Sequence, residues 1–197
     1  MKSPFSSLDR WLIQNWERAG QMEMAMKAVR EKYEQLFERV AERVKRELPR
    51  LDEREICVSG SEPSVIFYRQ RWYRKAGWWP SGLYIDNVGL ENVTVQSSDA
   101  PYAGVWLRPR DEPLLQGAKR KVQAAAKRAL RGQKVSWVDD ERFEHDCGWY
   151  ELPEGRDELL RMLLHGDAEQ FIDHMAKHVR RLAPLIPVLD RILSKSR

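Results

Sequence analysis

The residues best placed to do chemistry are cations. From Pro113 to Lys134 there are seven Lys or Arg and no Asp or Glu. Arg120, Lys127 and Arg131, with Ala124 between them, fall at helical spacing on one face, and Lys119, Lys121 and Arg128 flank that row. Such a row can neutralise phosphates or meet an acidic protein surface, and affinity of that kind falls steeply with salt. The alternative is a solvated face that pairs with the acidic stretch just after it. From Asp139 to Glu158 there are nine Asp or Glu and two Arg.

A second group mixes rings and cations in FYRQRWYRKAGWW, where Phe67, Tyr68, Trp72 and Tyr73 interleave with Arg69, Arg71, Arg74 and Lys75. Rings stack bases and arginines contact phosphates or rings. Alternation in a strand puts apolar groups on both faces here, which favours sheet packing. Trp78 and Trp79, before Pro80 in an expected loop, are the partner-contact candidates.

Two smaller groups carry less. His145 and Cys147 in EHDC are too close in sequence to aim base and nucleophile at each other. His174 and His178, four residues apart on an expected helix, have the spacing of two imidazoles on one metal. Ala176 stands between them and the glutamate of an HExxH pattern is missing, so they read as a surface pair. No glycine-rich phosphate loop is present. The sequence thus predicts no catalytic residue, no metal ligand and no cofactor.

These residues need elements to hold them. Ser6 or Ser7 caps a short helix to about Arg18, and Gly20 is the expected break. A long helix then follows to Leu48, with Met22, Met26, Val29, Tyr33, Leu36, Val40, Val44 and Leu48 as its apolar stripe and Pro49 as its stop. The period then shortens. Residues 56–59, 64–72, 82–86, 92–96 and 104–108 read as strands between turns, with two more at 135–138 and 149–152. The basic helix spans 113–131, with Leu115, Ala118, Val122, Ala125 and Ala129 inward and Gly132 as its stop. Two helices close the pattern, one over 156–165 and one opened by Asp167 and Gln170. The expected fold is α+β: an antiparallel sheet of about five to seven strands, flanked by the long N-terminal helix and C-terminal helices. It forms one domain over 1–197, with a helical arm at 1–49, a strand-rich core at 50–152 and helices over 153–197.

Composition agrees with a folded chain: of 197 residues 42% are apolar, 32% are charged and eight are Trp. Two cysteines, Cys57 and Cys147, imply no disulfide framework. No apolar run is long enough to span a bilayer, and the cytoplasm is the expected compartment.

The order of a long helix, SVIFYRQRW, WWPSGLYID, YAGVWLRP and then an acidic segment with helices resembles the C-terminal accessory region of bacterial and phage PD-(D/E)XK nuclease-superfamily proteins. The resemblance spans roughly residues 20–190 and includes no nuclease core. It implies a sensor or interaction module from phage or bacterial defence, and it transfers no catalytic residue. The expected function is a non-enzymatic binding or regulatory module for nucleic acid or an acidic protein surface. Two rivals stand beside it. One is a divergent metal-dependent nuclease using Asp86 and carboxylates from 139–146. The other is an oligomeric structural protein, a homodimer through the long helix.

Overall fold

Helix formation begins at Ser6. Its hydroxyl accepts from the Asp9 amide at 3.2 Å, and the Asp9 carboxylate accepts from the Ser6 amide at 2.7 Å. This reciprocal cap opens α1, Ser7–Gln14. At Asn15 the side chain donates to the Trp11 carbonyl at 2.8 Å and the backbone leaves the helical region. That local bond competes with helix continuation. The break therefore falls at Asn15 and not at Gly20, which lies inside α2, Trp16–Glu47. The computed structural model describes residues 6–48, 51, 53–59, 62–72, 81–86, 88, 100–107, 112–140, 145–165 and 168–194.

The chain divides into two units, Met1–Leu36 and Phe37–Arg197. In the first, Trp11, Trp16, Met22, Met26 and Val29 are exposed. Trp11, Leu12, Met22 and Met26 line a groove there together with Glu23, Lys27 and Arg30.

The second unit is built on an antiparallel meander of β1 (Glu53–Ser59), β2 (Glu62–Tyr68), β3 (Gly82–Asp86), β4 (Tyr102–Trp106) and β5 (Asp146–Glu151), in that spatial order. Strands β2–β5 form the four-stranded sheet on which the core rests, and β1 pairs along the outer edge of β2. The expected sheet of about five to seven strands is corrected to this four-stranded body, with β1 as a fifth strand on its edge. Residues 135–138 add a single bridge, Val138 to Trp149, and not a strand. The expected strand at 92–96 lies outside the described residues.

Register assigns the sheet faces. Val65 opposes Ile85, Phe67 opposes Leu83, Leu83 opposes Val105 and Ala103 opposes Tyr150. Alternation puts all of these on one face, and each is buried. The helices α3 (Glu112–Ala129), α4 (Gly155–His165), α5 (Ala168–Leu182) and α6 (Ile186–Ser194) follow in sequence. Helix α5 packs on β3 and β4, and α3 packs on β5 and α6. Phe171, Ile172, Met175, Val179 and Leu182 of α5 are buried at helical spacing.

Within this unit the end of α2 lies along α5. Phe37 meets Phe171 edge to face with ring centroids 5.8 Å apart. Arg43 bonds Glu169 at 2.9 Å and also pairs with Asp173, and Arg180 bonds Glu47 at 2.5 Å. Partners rise together in number along both helices, so the helices run in the same direction.

The sheet is also tied to α6. Asp190 accepts from Arg69 at 2.6 Å, from Arg71 Nε at 3.0 Å and from the Trp72 indole at 2.8 Å. Half of the aromatic–basic segment is therefore spent inside the fold. Asp190→Ala leaves a buried indole donor and a largely buried guanidinium without their acceptor. We expect a loss of about 2–3 kcal/mol, because bonds to charged groups are each worth that order. Urea denaturation at neutral pH measures it, and an unchanged midpoint would show the clamp to be idle.

Candidate functional site

The basic helix buries Ala118, Val122, Ala125 and Ala126. Arg120, Lys121, Lys127, Arg128 and Arg131 are exposed. Helix geometry follows directly: the buried residues recur at steps of three and four, and the cations fill the rest of the circumference. After Ala129 the chain turns at Gly132, whose φ of +79° favours glycine. Lys127 pairs with Asp139, so the acidic stretch does reach back to this helix at one point.

Lys119 departs from the expected row. It is 3% exposed and faces inward, where its charge acts on Asp146. Around Asp146 lie Tyr84, whose hydroxyl donates to Oδ2 at 2.8 Å, and the Gly148 amide, which donates to Oδ1 at 3.0 Å. Asp140 is buried nearby. Burial, helped by the Asp140 charge, pushes the Asp146 carboxyl up to about 6, although Tyr84, Gly148 and Lys119 oppose the shift. Burial and the carboxylates raise the Tyr84 phenol as well. Asp86, one of the candidate nuclease ligands, accepts from the Tyr102 hydroxyl at 2.8 Å.

A different set of side chains converges more closely. His174 and His178 extend from α5, and Glu154 sits in the turn between β5 and α4. Glu154 Oε2 lies 2.9 Å from His174 Nε2 and 3.0 Å from His178 Nε2, and the two Nε2 atoms are 3.4 Å apart. His178 is fully buried, so the surface-pair reading is corrected for that residue. One turn of helix brings the imidazoles together, and the φ of +61° at Gly155 turns the chain so that Glu154 meets them. Behind His178 the Tyr150 hydroxyl donates to the His178 carbonyl at 3.1 Å and lies 3.1 Å from Nδ1. Burial drives the His178 pKa down to about 3; Glu154 opposes this, and the charges of His174 and Arg181 add to it. Burial raises the Glu154 carboxyl, but His178 and His174 outweigh it and leave the carboxyl below its ordinary range. Among the described residues this is the one group of three or more His, Cys, Asp or Glu with ligand atoms at mutual coordination spacing.

Of the other candidates, Cys147 is buried and its thiol is pushed far up by desolvation, which makes it inert as a nucleophile. His145 packs against the Trp106 ring. Trp78 and Trp79 lie outside the described residues, as do Glu141 and Glu144. Glu154 and Tyr150 escaped the sequence reading because a turn and a register create the cluster, and no spacing rule links position 154 to 174.

The chain matches no family model, no curated protein and no solved structure. The likeness to PD-(D/E)XK accessory regions therefore rests on sequence pattern alone.

Asp146 gives a pH prediction. Its pKa is raised in the folded state, so folding binds an extra proton between about 4 and about 6. Its contribution is most favourable below the unfolded value and is lost as pH rises through the folded one. Asp146→Asn should remove that fall, which denaturant midpoints at pH 4.5 and 7.5 would reveal as a smaller difference than in the parent. Equal differences in both proteins would refute the shift.

Proposed function

We propose that this chain is a non-enzymatic binding module that engages a polyanion, foremost nucleic acid, through the exposed face of α3. The carrying observation is the partition of that helix. Ala118, Val122, Ala125 and Ala126 are consumed by the fold, while Arg120, Lys121, Lys127 and Arg128 remain at the surface of the helix and Arg131 at the surface of the turn that follows it. Cations spaced along a rigid helix keep their separation when phosphates bind, so little order is lost on binding. Lys127 would exchange Asp139 for a phosphate, and an exposed pair of that kind is weak enough to be exchanged. An acidic protein surface is the other partner that this chemistry accepts. The nuclease reading draws less support, because Asp86 and Asp146 are each engaged by a tyrosine hydroxyl.

Charge reversal tests the proposal. Arg120→Glu with Lys127→Glu and Arg131→Glu should abolish low-salt gel-shift binding of single- or double-stranded nucleic acid. Parent affinity should fall on a log–log salt plot with a slope near −0.9 per phosphate contacted on B-DNA, roughly −3 to −5 for three to five contacts. Parent protein that shows no salt-sensitive binding would end the nucleic-acid reading.

Self-association through α1 and α2 has its own support. Trp16 is 75% exposed, and Met22, Met26 and Val29, also exposed, recur at steps of four and three along one face of α2. Mass measured by light scattering across a concentration series should rise toward twice the chain mass. Trp16→Glu with Met22→Glu should hold it at one chain. A parent that stays monomeric throughout would remove this reading.

A further inference from the structure

We propose that Glu154, His174 and His178 form a binding site for a zinc-class divalent ion, with both imidazoles coordinating through Nε2 and the carboxylate through Oε2. The inference goes beyond the polyanion reading and does not depend on it.

Spacing is the first argument. Ligand atoms about 2.0–2.2 Å from a tetrahedral Zn2+ lie about 3.3–3.6 Å from one another. The three separations here are 2.9, 3.0 and 3.4 Å. An ion sits over such a triangle with small outward adjustments. Two nitrogens and one oxygen also select the metal class, since Mg2+ and Ca2+ prefer all-oxygen shells.

The tautomer is the second argument. Tyr150 spends its proton on the His178 carbonyl, which leaves its oxygen to accept from Nδ1–H. His178 Nε2 then carries a lone pair aimed at the Glu154 carboxylate and at His174 Nε2. Lone pairs facing a carboxylate repel unless a proton on His174 Nε2 or a cation lies between them. Arg181 Nη1, 3.3 Å from the same Nδ1, supports the opposite tautomer, in which Nε2–H simply bonds Glu154. The two arrangements differ in whether an ion belongs, and that difference is measurable.

Access is the third argument. The His178 side chain is fully buried, while those of His174 and Glu154 are 12% and 18% exposed. The buried imidazole gives the site a fixed wall, and the two others open it to entry. Three protein ligands leave a fourth position on that open side for water or an oxygen of a bound molecule. Tyr150 takes the role of the outer partner that orients a ligating histidine.

The test uses the full chain after treatment with a chelator. Titration with Zn2+ against a chromophoric competitor should show one saturable site, and the melting temperature should rise with Zn2+ but not with Mg2+. Co2+ should give the visible absorption of a four-coordinate ion. Glu154→Gln and His174→Ala, which alter the partly exposed ligands, should each weaken binding more than about 100-fold, and Tyr150→Phe about 10–100-fold. Circular dichroism confirms that each variant is folded, and nucleic-acid binding by gel shift should be the same in all. Absence of saturable Zn2+ uptake in the parent overturns the proposal in favour of the hydrogen-bonded tautomer. Uptake that survives both Glu154→Gln and His174→Ala overturns it in favour of another site.

Discussion

The contact between Tyr150 and His178 governs how the second unit is assembled. The sheet face that meets α5 is apolar at Val65, Phe67, Leu83, Ile85, Ala103 and Val105, and all are fully or almost fully buried. A phenol on that face must find a partner, because an unsatisfied buried hydroxyl costs about 1–3 kcal/mol. Tyr150 finds it on α5, at the carbonyl and ring of His178. That choice sets the rotation of α5 about its axis. Once His178 faces Tyr150, Phe171, Met175 and Val179 enter the core, and His174 stacks one turn earlier beside Glu154. The same rotation turns Glu169 and Asp173 outward to Arg43 on α2.

The polar groups of the second unit divide by burial into three kinds. Arg43, Glu47, Glu169 and Arg180 join helices at the surface, where each pair adds little and the network mainly fixes register. Asp190 gathers donors from the turn after β2 at a half-buried position. Asp146 and His178 are buried outright, and their pKa values move in the directions that keep each group neutral. A fold of this size carries few such buried groups without a reason, and the reasons differ. Asp146 has a full set of donors within its own fold, whereas His178 Nε2 faces both a carboxylate and a second imidazole nitrogen.

Much of the architecture was legible because it rests on short-range rules. The α+β class, the antiparallel order of the strands, the basic helix with Ala118, Val122 and Ala125 inward, and the α5 stripe all follow from periods of two and 3.6. The break at Asn15 was not legible, because side-chain capping there outweighs the propensity of Gly20. Lys119 read as part of the surface row, since sequence gives the face of a helix only to within one neighbouring position. His178 read as exposed because its partners, Tyr150 and Glu154, lie 28 and 24 residues away and arrive by strand register and a turn. The pairing of Lys127 with Asp139 was legible as charge pattern.

The Asp190 clamp and the α2–α5 network also constrain when the chain can fold during synthesis. Trp72 waits for a partner 118 residues later, and Glu47 for one 133 residues later. At ordinary elongation rates that delay is roughly ten seconds. Within it β3, β4 and β5 are added one after another to a sheet whose apolar face is still open, and Arg69 and Arg71 lack their acceptor. The lysines and arginines of α3 are translated inside that interval, before α5 and α6 exist. A nascent chain therefore presents its cations before its core is closed, and its solubility in that window rests on charge repulsion.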